Sequence, residues 1–142
     1  MAKYLPHGTT VSIGGTAIGG LIAVAIPERT KGEAETTDSD SSGDREYFPG
    51  IREGGTVELT FRHDPDDAGQ TQLETNYDAD GSSAIEEIII TLPSSATTAS
   101  GGRTYTFDGF VTNPPQGELG LVDDEVGEQT STIKVDGKVT IA

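Results

Sequence analysis

Apolar residues recur at every second position in several short stretches of this chain. In residues 55–63, GTVELTFRH, Val57, Leu59 and Phe61 fall on one side, and Glu58, Thr60 and Arg62 on the other. That is the period of a half-buried strand. Residues 103–111 repeat the pattern, with Tyr105, Phe107 and Val111 on one face. Residues 84–92, AIEEIIITL, are a β-branched run and read as a buried strand. Residues 9–13 alternate briefly before Gly14-Gly15, a turn signal. Residues 20–27 place Ile22, Val24 and Ile26 on one face, up to Pro27, which ends a strand or marks an edge. The C-terminal stretch predicts a hairpin, with strands at 130–135 and 138–141 and a turn at Asp136-Gly137. Helical signals gather at one place. Asp64 can cap, Pro65 suits the first helical position, and Asp66 and Asp67 lie at the positive end of the dipole. They predict a helix over 64–77, with Leu73 and Tyr77 one turn apart and Asp80-Gly81 ending it. The whole predicts a mainly β fold, a β-sandwich with one flanking α-helix, in a single domain spanning residues 1–142.

Between these elements lie polar connections. Residues 1–8 read as an extended N-terminal arm, 94–102 as a loop, and 112–128 as a long polar connection. Residues 28–54, ERTKGEAETTDSDSSGDREYFPGIREG, read as a structureless loop, which is unusual at this length inside a compact domain. Its apolar island of Tyr47, Phe48 and Ile51 argues that a partner orders it, since a purely solvated loop has no need of adjacent aromatic rings.

Charge narrows the function. The chain carries 24 acids against 9 bases, a net charge of −15. No Lys or Arg occurs between Arg62 and Arg103 or between Arg103 and Lys134, where fourteen acids fall. Such a body repels nucleic-acid backbones and anionic membranes. It suits a surface that DNA slides past better than one that grips it. There is no cysteine, so disulfide and thiolate chemistry are excluded. The start lacks the apolar core of a signal peptide, and the longest apolar run, 21–26, is too short to span a membrane. The expectation is a chain made and kept in a cytoplasm, or assembled into a particle there.

Candidate chemistry is thin. Asp38-Ser39-Asp40-Ser41-Ser42-Gly43-Asp44 resembles the opening of a calcium loop, but its twelfth position is Pro49 instead of a bidentate Glu. Asp78-Ala79-Asp80-Gly81 fails in the same way, with Ile89 at the twelfth position. His7 and His63 have no ligand-like neighbours at metal spacing. Paired carboxylates are too common in so acidic a chain to mark an acid and a base. Gly14-Gly15 and Gly19-Gly20 lack the Lys-Ser/Thr of a phosphate loop, and no nucleophile elbow is present. The expectation is no enzyme, no metal and no cofactor.

An ordered set of elements then takes the chain out of anonymity. Glu35-Thr36-Thr37 precedes an acidic turn; Phe48-Pro49-Gly50-Ile51, Gly55-Thr56-Val57 and Asp64-Pro65-Asp66-Asp67 follow, with Gln70 to Leu73 in the helix. This order resembles the major tail tube proteins of long-tailed (siphovirus-type) viruses. The strong part covers about a third of the chain (residues 33–75 of 142). The resemblance implies a tail-tube-like fold in which six subunits close a ring and their inner strands join into one ring-wide β-barrel. Rings would stack through the arm and the 28–54 loop, with Tyr47, Phe48, Pro49 and Ile51 as stacking anchors. It implies a virion tail location, with the tape measure, tail terminator and baseplate proteins as further partners. DNA would pass without specific binding, along walls for which Glu58 and Asp108 are the candidate residues. The acidity also fits a salt-saturated cytoplasm, and hence a virus of a halophilic archaeon. The competing readings are another tail ring, such as a terminator or baseplate hub, and a carbohydrate-binding or adhesion β-sandwich, which the absence of Trp disfavours.

Overall fold

The computed structural model describes residues 8–40, 42–95, 98–122 and 127–142, the side chains of 94, 95 and 98–101 excepted. The strands are β1 (Thr10–Ile13), β2 (Thr16–Ala17), β3 (Leu21–Val24), β4 (Thr30–Glu35), β5 (Tyr47–Glu53), β6 (Thr56–Arg62), β7 (Glu86–Ser95), β8 (Thr98–Gln116) and β9 (Glu128–Ile141). One helix, α1 (Ala68–Asp78), follows β6. The fold is mainly β with one helix. Seven strands form one sheet in the order β2-β1-β7-β8-β9-β6-β3, and β4 and β5 pair only with each other. The expected sandwich takes the form of this single sheet curled into a half-barrel.

The chain order requires the curl. The two edges, β2 and β3, are joined by Ile18–Gly20 alone. Flat, seven strands would hold the edges about 29 Å apart, whereas residues 17 to 21 can span at most about 14 Å. The sheet therefore bends until its ends approach. Alternating side chains fill the concave side. Val57, Leu59 and Phe61 of β6 meet Ile133 of β9, Phe107 of β8, Ile88 and Ile90 of β7 and Val11 and Ile13 of β1 in one cluster, each at 2% exposure or less.

Helix α1 starts later than the pattern predicts. Asp64 is tied into the preceding turn, where its Oδ1 accepts from Asp66 N and its own N donates to Gln70 Oε1. Asp67 is the cap instead, extended at φ −73 and ψ 125, its carboxylate accepting from Gln70 N. Only Leu73 gives the helix a fully buried apolar side chain; Tyr77, its expected partner, is exposed. Hydrogen bonds do the rest of the docking. Gln70 Nε2 donates to Gly19 O (3.1 Å) and Arg62 O (2.8 Å), tying the helix to the link between β2 and β3 and to the end of β6. Asp67 accepts from Gly19 N. Asn76, 1% exposed, donates to Ala84 O (2.7 Å) and Glu86 Oε1 (3.0 Å) and accepts from Val111 N (2.8 Å). At Gly69 a methyl group would strike the backbone of Ala17 and Ile18, so the helix approaches β2 more closely than any other residue would allow.

Five further expectations are corrected. Residues 28–54 are no irregular loop but contain the β4–β5 hairpin, every strand residue of which is exposed. With no core to face, they show no alternation. Asp136-Gly137 is no hairpin turn. Between the pairs Thr106↔Thr140 and Asp108↔Asp136, β8 advances two residues and β9 four, so Gly137, at φ +80, sits in a bulge within one strand. In β3 a bulge between Leu21 and Ala23 turns Leu21 and Val24 to the core, leaving Ile22 and Ile26 exposed. Residues 94–102 are strand ends as far as Ser95 and from Thr98, the pairing sustained by Gly102, which lies against the carbonyls of Leu92 and Pro93. Likewise β8 runs on to Gln116, into the expected connection at 112–128. The arm at 1–8 lies, apart from Gly8, outside the described residues.

Removing the amide of Asn76 leaves Val111 N and Ala84 O buried without partners. Asn76→Ala should lower the unfolding free energy by about 2–4 kcal/mol. A urea titration checks this, and a loss below about 0.5 kcal/mol would show that the helix is not held this way.

Candidate functional site

Among the described residues, no group of three or more His, Asp or Glu side chains is placed to hold a metal ion, and no buried polar side chain lacks a partner. His63 is tied to Gln129, its Nδ1 2.9 Å from Oε1. Asp38 Oδ1 accepts from Asp40 N in a turn at the hairpin tip. His7 lies outside the described residues. What the fold displays is surfaces.

The first is the convex face of the sheet, opposite the core. Its register places Thr10, Thr91, Thr104, Thr106, Thr132, Thr130, Thr56 and Thr60 there from five strands. Glu58 and Asp108 both stand on this face, Glu58 opposite Thr132 and Asp108 between Glu87 and Asp136. Like charges directly opposite destabilise a sheet. A row of three carboxylates across β7, β8 and β9 therefore opposes stability, and folding gives no reason for it. Threonine is the more frequent element of this face. Its alternation with core residues is visible in TYTF and TVELT, although charge draws the eye first.

The second surface is the β4–β5 hairpin. Phe48 is 67% exposed, Ile51 90% and Tyr47 52%. Pro49, opposite Glu33, contributes no N–H to either side. The four expected anchors thus lie together on one strand, solvent-facing in the single chain. Among the described residues, the hairpin's ties to the sheet lie at its base. Lys134 Nζ sits 2.6 Å from Glu53 Oε1, Val135 N donates to Gly55 O, and Gly55, at φ +76, lets Glu28 O pack against it. At the other end Thr36 N donates to Glu46 O, and Glu46 N donates to Thr37 Oγ1. Two strands with nothing packed on them are marginal in water. The docking amides Gln70 and Asn76 and the base lysine Lys134 carry no sequence signal, because polar residues in helices and strands ordinarily face solvent.

A third feature is apolar. Leu121 and Val122, 91% and 94% exposed, follow β8 with Leu119 at the end of the sheet away from the hairpin.

No protein-family profile and no curated protein sequence matches the chain. Solved structures do. A chain from the sheath/tube terminator of an extracellular contractile injection system in its extended state superposes with a TM-score of 0.77 at 17% identity, covering 100% of this chain and 98% of that one. A chain from the C6-symmetric tail of an empty GTA particle gives 0.70 at 11% identity, covering 99% of both. Hcp1 from Salmonella typhimurium gives 0.50 at 12% identity, covering 94% of this chain and 90% of that one. At these identities the likeness is one of fold.

The hydrogen bond and positive charge of Lys134 hold the Glu53 carboxyl below its ordinary 4.5. A depressed carboxylate contributes stability that is present above its unfolded value and is lost as pH falls through the folded one. Followed by NMR, Glu53 should titrate below 4.5 and return toward 4.5 in Lys134→Met. An unchanged midpoint in that variant would place the contact elsewhere.

Proposed function

We propose that this chain is a structural subunit of a phage-like tail tube, performing no chemistry. The observation that carries the reading is the end-to-end superposition on chains from tail and injection-tube structures, covering 100% of this chain in one and 99% in another. Six copies close a ring, and rings stack into a tube that conducts DNA. The convex, threonine-rich face becomes the lumen wall, with Glu58 and Asp108 in it. Hydroxyls solvate passing phosphates without binding them, and the carboxylates repel them. The row Glu87–Asp108–Asp136, unhelpful to folding, has a purpose on such a wall. The β4–β5 hairpin joins rings, burying Tyr47, Phe48 and Ile51 against the next ring. Tape measure, terminator and baseplate proteins are the further partners, and the virion tail is the location. Placement among long-tailed viruses rests on the sequence resemblance, and a haloarchaeal host on the acidity. A second reading, a ring that ends the tube, is favoured by the terminator and tube-terminating cap structures among those that superpose.

Negative-stain electron microscopy across low and molar salt tests the class. Stacked rings with a central hole are expected; single capped rings would favour the terminator, and dispersed monomers throughout would count against both. Deleting residues 36–46 should leave a folded chain that closes rings but does not stack. Phe48→Ala should change unfolding free energy by no more than about 0.5 kcal/mol, since the ring is exposed in the single chain, yet weaken stacking. Tubes of normal length from the deletion variant would remove the hairpin from the stacking contact.

A further inference from the structure

The sparse cations of this chain are not scattered. Four of its nine, Arg29, Lys31, Arg52 and Lys138, line one cleft of about 710 Å³ between the hairpin base and the β9 bulge. The carboxylate in that lining, Glu53, is already engaged by Lys134. Among the described residues none of the four cations makes an ion pair. All four are exposed. Like charges gathered at one place repel.

The opposite end of the molecule carries the opposite charge. Strand β6 starts beside the hairpin base, where Val135 N donates to Gly55 O, and ends where His63 N donates to Gly127 O. Its seven residues separate the two ends by about 20 Å. At the far end stand the exposed carboxylates of Asp64, Asp66 and Glu118, beside the exposed Leu121 and Val122. The cation there, Arg62, faces Glu128 at 3.9 Å.

We propose that the basic cleft receives the acidic end of a second copy, so that stacking is directed head to tail by charge. This rests on the tube reading and names the contact that reading leaves open. A head-to-tail contact is heterologous and propagates as an open filament. With a net charge of −15, the chain supplies its own polyanion in every copy. Two cleft surfaces, or two acidic ends, repel each other, so inverted stacking is excluded by the same charges that favour the polar one.

Two variants test it. Arg52→Glu with Lys138→Glu makes both ends of the subunit negative; Asp64→Lys with Asp66→Lys makes both positive. All four positions are exposed, and circular dichroism confirms that each variant folds. Each variant alone should form rings but need at least about tenfold more protein to stack than the wild type does. Mixed in equal amounts, they should stack again, with the two variants alternating along the tube. Two outcomes overturn the cleft contact while leaving the tube reading intact: variants that stack as the wild type does, and a loss of stacking that mixing fails to restore. Wild-type binding to duplex DNA that disappears in Arg52→Glu/Lys138→Glu, with stacking unchanged, would assign the cleft to nucleic acid instead. A wild type that closes no rings overturns the tube reading and this contact with it.

Discussion

The two strands at opposite edges of the main sheet follow one another along the chain with three residues between them, and the rest of the structure answers to that short link. It forces the sheet to curl, and the curl brings β1 and β6 into one core. It also gives α1 a place to dock, at the link itself. The helix has one fully buried apolar side chain for the task. Its attachment is directional, through Asp67 and Gln70 to Gly19 and Arg62 and through Asn76 to the strand beyond. Directed bonds suit a link, because they fix position where a greasy contact would slide. Both edge strands are short, two and four residues, which limits the unpaired backbone offered to chance partners.

The curl also sorts the surface. The concave side becomes the core and the convex side one continuous polar face, while four of the nine cations are gathered in one cleft at the hairpin base. A subunit built this way has an inside, an outside, a top and a bottom before it meets another copy. The hairpin belongs to none of these. It leaves the sheet at Pro27 and Gly54-Gly55, pairs with itself, and presents its rings to solvent.

The strands that face a core were legible in the sequence: 56–62 and 105–111 alternate because one side of each is buried, and 86–92 holds the β-branched run whose Ile88 and Ile90 are buried. The hairpin was illegible for the converse reason. Its residues meet no buried face, so neither period is imposed on them, and only the aromatic island hinted at contact. Asp136-Gly137 misled because a glycine at positive φ serves a bulge as well as a turn. Ile22 misled because it sits in the bulge between Leu21 and Ala23, and Ile26 because the strand ends at Val24. Of the candidate site, Glu58 and Asp108 follow from alternation alone and do share a face, and Tyr47, Phe48, Pro49 and Ile51 do share a strand. The cleft could not be read. Arg29, Lys31 and Arg52 belong to the hairpin, Lys138 lies far along the chain, and only the fold joins them.

A ribbon fixed at its base and bare along its length has a bearing on when tubes form. Holding thirteen strand residues in one conformation costs backbone entropy that the isolated subunit recovers poorly. In the proposed tube that cost is met when the ribbon settles against a neighbouring ring. The first pairing of rings must order ribbons with little surface to receive them, while each later ring arrives at a surface already set. Growth of this kind has a lag and a seed. A cell could then hold a large pool of subunits in solution and spend it only where an initiator has been laid down, so that tube number is set by seeds and not by supply.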